Sequence, residues 1–408
     1  MTRQLIAIVA ALAVVLSMLL LSGCHSAADT LAQPHEAPNN ASWVAGDSPI
    51  PTQRTGLYRQ GITTTDNRFD CTAAGVYYLS PEDSYILYCD HNSDTFIPLC
   101  SRPDCGHADY EGKFYWTCNA YFCGAISISF YNGYLYVLMD DETDGFCIKR
   151  VDPSGSNRVT VWKAERELLE NNMLSSPTLW NGVLTYTLVS FDENGNLTEQ
   201  TYYYLLDGSM KEPLPAGMSY PRGNHGDAFI TTSIGVWNPD TATEQFLTEF
   251  ISIGYYGTEA AYLILDGVIS RVNYATGDME ALLDTGLDGT YDLHCFPDCL
   301  VVKETLPYEQ LSAGQQLQAQ HLYFYNWAFE NIGSIEVENN GVWPGSIICG
   351  ETAYRIYLAL DHQGIPSHYI DKEDFGTGNI ALHQVNLPSL PLLETGETPP
   401  RDLSNVGR

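Results

Sequence analysis

The chain has 408 residues, of which 44% are hydrophobic and 17% charged, proportions that support a sizeable core and exclude a disordered protein. Fifty Asp and Glu against 19 Lys and Arg give a formal net charge of −31, which keeps the chain soluble and disfavours nucleic acid or an anionic bilayer as a partner. Membrane contact, if there is any, must come from something other than charge.

The N-terminus supplies it. After Met1-Thr2-Arg3-Gln4 an apolar run extends from Leu5 to Leu21, interrupted only by Ser17, and stops at Leu21-Ser22-Gly23-Cys24. A short basic segment, an apolar stretch and small residues before a cysteine are the parts of a secretory signal. This ending resembles a lipobox, which implies cleavage of residues 1–23 and a diacylglycerol on Cys24. Two acyl chains are what stable anchoring needs. The expected location is therefore the extracellular face of the cell membrane, with the lipid as the only membrane contact.

From Cys24 to about residue 60 the composition turns to Ala, Pro, Asn, Asp and Ser without apolar periodicity, as a linker does. Thirty such residues reach about 30 Å. Residues 61–390 are read as one folded domain, and 391–408, with Pro399-Pro400, as a loose tail.

Within 61–390 the texture is strand, turn, strand, rich in Tyr, Val, Ile and Leu. Lys163–Asn171 reads as a short helix inserted between strands. A turn followed by an apolar strand recurs at Gly75-Val76-Tyr77, Asn132-Gly133-Tyr134, Asn181-Gly182-Val183, Gly226-Asp227-Ala228, Gly257 to Tyr262, Phe296 to Val301 and Gly350 to Tyr354. These markers are about 47 residues apart, near the 40 to 50 of a four-stranded propeller blade. The expectation is an all-β chain forming a β-propeller of seven blades. Six or eight remain open because the fourth unit is short and the sixth has an insertion around Leu306–Gln320. Gly at Asp152-Pro153-Ser154-Gly155, Asp207-Gly208 and Thr276-Gly277-Asp278 marks hairpin tips.

Eleven cysteines are present. Cys100, Cys105, Cys118 and Cys123 crowd one loop with His107, and three readings of it compete. Three thiolates and an imidazole can close a structural zinc site. The four cysteines can instead form two disulfides, or they can be buried thiols. His294-Cys295-Phe-Pro-Asp-Cys299 is a second, weaker group, in which Cys295 and Cys299 flank a turn and can bridge it. Cys71, Cys89, Cys147 and Cys349 stand alone. With its Cys100-x4-Cys105-x-His107 and Cys118-Asn119-Ala120 segments, this loop resembles one in propeller-like surface lipoproteins of Gram-positive bacteria, a family without assigned activity.

Asp140 to Gly145 opens like a calcium loop, but the twelfth position is Val151 where a bidentate Glu is required, so a solvated hairpin tip is expected. Gly376-Thr377-Gly378 matches a dinucleotide fingerprint by letters only. There is no nucleophile elbow, zincin helix or phosphate loop. The 27 Tyr and seven Trp are expected to pack mainly between blades. The function expected is a non-enzymatic surface module that binds a glycan, peptide or envelope protein. The alternative is a hydrolase or lyase of extracellular polysaccharide using a carboxylate pair.

Overall fold

The structure is a computed structural model that describes Asp47 and most of residues 68–388; among the stretches outside the described residues are 1–46, 106–117, 165–171, 207–220, 306–317, 340–347 and 389–408. The signal and lipobox, the linker apart from Asp47, and the tail therefore lie outside them.

Seven antiparallel sheets follow one another along the described chain. The first holds β1 (Phe69–Cys71), β2 (Gly75–Leu79), β3 (Ile86–Asp90) and β4 (Ile97–Pro98), and the second β5 (Ala125–Tyr131), β6 (Tyr134–Asp141), β7 (Gly145–Val151) and β8 (Val159–Lys163). The third has β9 (Met173–Trp180), β10 (Val183–Phe191) and β11 (Leu197–Leu205); the fourth has β12 (Pro221–His225), β13 (Ala228–Thr231), β14 (Gly235–Asn238) and β15 (Thr243–Phe246). The fifth comprises β16 (Ser252–Tyr256), β17 (Ala260–Leu265), β18 (Val268–Asn273) and β19 (Met279–Asp284), and the sixth β20 (Thr290–Cys295), β21 (Leu300–Thr305), β22 (Gln318–Tyr325) and β23 (Asn331–Asn339). The seventh is β24 (Ile348–Glu351), β25 (Arg355–Leu358), β26 (His368–Asp371) and β27 (His383–Gln384).

Every sheet is a simple meander, and the first strands meet: β5 packs on β1 and β9, β16 on β20, and β24 on β1. The last sheet thus returns to the first, and the chain is a β-propeller. Its core is laid down between sheets. One apolar cluster joins the seventh, first and second sheets, another the second and third, another the fifth and sixth, and another the sixth and seventh. Tyr202 and Tyr204 share one face of β11 and pack with Trp162 of β8, and Trp327 lies between the fifth and sixth sheets. These tyrosines and tryptophans are inter-blade packing, as expected.

All seven sequence markers fall at the junction of a first and a second strand, one strand later than the start of each sheet. The second strand has neighbours on both edges and buries both faces, as all five residues of β2 do, so its apolar signal is the stronger. First strands such as Pro221-Arg-Gly-Asn-His225 carry no such signal. Lys163, expected to open a helix, ends β8 instead, and 165–171 fall outside the described residues. Gln318–Gln320, expected to belong to an insertion, begin β22.

Among the described residues no sheet mixes strands from the two ends of the chain, and the seventh sheet meets the first through backbone and side-chain contacts. Thr95 forms a parallel bridge with Asn386, His91 stacks on Tyr354 with ring centroids 4.6 Å apart, and the Arg355 guanidinium donates to the Ser93 carbonyl.

Candidate functional sites

The connection from β4 to β5 carries the cysteine loop. Its two limbs are fastened to one residue: Leu99 donates its N–H to the Ile86 carbonyl and Ile86 donates its own to the Ala120 carbonyl, both at 2.8 Å. Cys100 and Cys118 are therefore delivered side by side, although 18 positions separate them. The Sγ atoms of Cys100, Cys105 and Cys118 all lie within 4.8 Å of one another. Cys118 is buried and the other two are half-buried. A hydrogen bond with the Cys100 thiol, then burial, push the Cys118 thiol far above its ordinary range. Cys123 packs against the same apolar cluster but is not in this triplet, and His107 lies outside the described residues.

A cation that the sequence did not single out completes the setting. Arg158, from the β7–β8 connection, donates from Nη1 to the Tyr121 carbonyl (2.9 Å) and from Nη2 to the Asn119 carbonyl (2.5 Å), with its guanidinium 3.7 Å from the centre of the Phe122 ring. Burial pulls it down to about 10, while Cys118 and Cys100 act in the opposite direction. Gly155 in the same connection has φ +86°, and a Cβ there would lie 2.4 Å from the Leu99 carbonyl oxygen, so only glycine allows this approach.

The weaker cysteine group comes apart. Cys295 faces the fifth sheet among Tyr255, Leu293 and Leu300, whereas Cys299 packs toward the seventh among Phe296, Ile348 and Phe375. The expected bridge across the turn is not formed, because the turn sends the two side chains to opposite faces of the sheet. Asp298, Cys299 and Glu351 do converge, with ligand atoms within 4.8 Å. The convergence is already occupied by Lys372, whose buried Nζ lies 2.8 Å from Asp298 Oδ1 and also binds Glu351. Two carboxylates held by one ammonium form a tie between the sixth and seventh sheets, not an acid–base pair facing substrate.

The calcium-like stretch is neutralised in a similar way. Asp141 binds Lys149 Nζ at 2.5 Å, and Asp144 accepts from Thr160 at 2.5 Å and pairs with Lys163. His294, by contrast, is fully enclosed, and among the described residues neither ring nitrogen has a hydrogen-bond partner. Burial, reinforced by Lys303 and opposed by Asp292, lowers it to about 4.

Among the described residues, an exposed apolar pair lies on the third sheet. Phe191 and Leu197 are directly opposed at the end of the long β10–β11 hairpin and are 69% and 55% exposed. Val189 and Met173, the latter also exposed, continue this face two residues inward. The sequence contained these residues, but alternation along a strand does not say which end protrudes.

No family model and no curated protein matches the chain. Among solved structures, the chain is similar to the uncharacterized protein lmo1340 from Listeria monocytogenes EGD-e, at 7% identity and TM-score 0.38, covering 65% of this chain and 89% of that one. It is also similar to TolB from Acinetobacter baumannii (13% identity, TM-score 0.31, 64% and 63% covered) and to the WD40 domain of SCAP from fission yeast (9% identity, TM-score 0.30, 80% and 98% covered). Likeness at this level carries no argument about this chain.

Proposed function

We propose that this chain is a lipid-anchored, extracellular, seven-bladed propeller that binds an envelope protein through the apolar end of its third sheet. The Phe191–Leu197 pair carries the reading: two large apolar side chains opposed at a hairpin end cost solvation unless a partner covers them. The Leu-Ser-Gly-Cys24 ending and the acidic composition support the placement, because the lipid holds the chain at the membrane while its charge keeps the body off an anionic surface.

The test uses the full chain in cells that make it. Palmitate labelling should be lost in Cys24→Ala. A photoreactive residue at position 191 should trap one predominant envelope protein. The F191S/L197S double variant should lose that protein while keeping its unfolding temperature, since exposed substitutions stay within about 0.5 kcal/mol. Binding of a glycan or protein that survives the double variant unchanged overturns the assignment of the surface.

A further inference from the structure

The geometry points to a metal centre in the β4–β5 connection: we propose that Cys100, Cys105 and Cys118 together bind one thiophilic divalent cation of the zinc class, which fastens this connection to the second sheet through Arg158. The inference is independent of what the third sheet binds.

Three observations converge. The first is the donor set. Tetrahedral zinc with bonds of about 2.3 Å to sulfur holds its sulfur ligands about 3.8 Å apart, and three Sγ atoms already within 4.8 Å of one another need only small side-chain shifts to reach that spacing. A disulfide uses two sulfurs and gives the third no role. The second is preorganisation, because Ile86 fixes both limbs of the loop through its own N–H and carbonyl, placing Cys100 and Cys118 before any ion arrives.

The third is charge. Binding converts three S–H bonds to three S–metal bonds and releases three protons to solvent, so no electrons change hands. The product of a dication and three thiolates carries one net negative charge in a partly buried place. Arg158 brings the compensating positive charge, and it is held by the carbonyls of Asn119 and Tyr121, which bracket Ala120 just beyond Cys118. A half-buried guanidinium held by two backbone carbonyls and an aromatic ring is costly, and an anionic thiolate centre beside it offsets that cost. Three protein ligands leave a fourth position for water or another donor.

Metal content of the full chain, purified in detergent without chelator or reductant, decides the matter. About one zinc per chain is expected, together with three thiols that resist alkylation until a chelator is added. Cobalt exchanged into the site should show thiolate-to-cobalt charge-transfer absorption in the near ultraviolet. Cys105→Ser keeps a half-buried side chain of similar size, and its fold is checked by near-ultraviolet circular dichroism; it should weaken cobalt binding by about tenfold or more. A Cys100–Cys118 disulfide in metal-free protein overturns the proposal. So does a metal-free chain whose three thiols alkylate at once.

Discussion

Arg355 and Ser93 stand 262 positions apart, yet the guanidinium of one donates to the backbone carbonyl of the other. Arg355 Nε also donates to Asp371 Oδ1 at 2.9 Å, and its guanidinium lies 3.9 Å from the centre of the Tyr369 ring. One side chain on the last sheet therefore spans the seam where the propeller closes on its first sheet. Among the described residues the backbone pairing across that seam is the short parallel bridge of Thr95 with Asn386, and side-chain contacts of this kind add to it.

Arg355→Ala should destabilise the domain by about 2–3 kcal/mol, since it leaves Asp371 half-buried without its partner and removes the ring contact. Arg355→Lys should recover only part of this, because an ammonium cannot serve Asp371, Ser93 and Tyr369 with one planar fork. Equilibrium urea unfolding of the three proteins measures both effects. A ranking in which lysine matches arginine would show that charge alone closes the seam.

Lys372→Met should cost about 3–5 kcal/mol by leaving Asp298 and Glu351 facing each other in a buried place. Glu351 and Asp298 hold the Lys372 ammonium above its ordinary range against the effect of burial. A raised folded-state value contributes stability that is fully present below the unfolded value, about 10.4 for lysine, and is lost as pH rises through the folded one. Wild-type stability from this ion cluster should accordingly persist to pH 10. Thermal unfolding at pH 4.5, 7 and 9.5 checks both statements.

His294 predicts the opposite dependence. Its folded value of about 4 lies below the ordinary 6.5, so between these values the unfolded chain binds a proton that the folded chain refuses. Stability should fall as pH drops through this window, by about 3 kcal/mol in all. His294→Leu removes the group and should be relatively more stable at pH 4.5 than at pH 7.5. Equal wild-type-to-variant differences at the two pH values would contradict this.

Gly350 and Gly254 occupy first strands where sheets come closest. A Cβ on Gly350 would lie 2.7 Å from Cys71 Sγ, and one on Gly254 2.6 Å from Leu293 Cγ and 2.7 Å from Cys295 Sγ. Alanine at either position should cost about 1–3 kcal/mol by overpacking. Alanine at Gly133, where a Cβ meets nothing within 4 Å, suffers only from the positive φ of +81°. Its cost should be about 1 kcal/mol. Denaturant midpoints for the three variants test the ordering.

The propeller was legible because its signals are local. Second strands such as Gly75–Leu79 and Ala260–Leu265 are largely apolar and follow a turn, and seven turn-strand units recur at nearly even spacing. The position of several first strands was not legible, because they are short or polar, as in Phe69-Asp70-Cys71 and Pro221–His225. The crowding of Cys100, Cys105 and Cys118 could be read from spacing. Exclusion of Cys123 from the triplet, and the placement of Arg158 beside it, could not.

By itself the sequence determined an acidic all-β chain with repeating turns and a dense cysteine loop, because turn chemistry and strand alternation act over a few residues. Only the tertiary structure decided that Lys372 silences the Asp298–Glu351 pair, that Cys295 and Cys299 face different sheets, and that Arg355 closes the ring on Ser93. These depend on which sheet packs beside which, and ion pairs or thiols brought together across such distances leave no periodic trace along the chain.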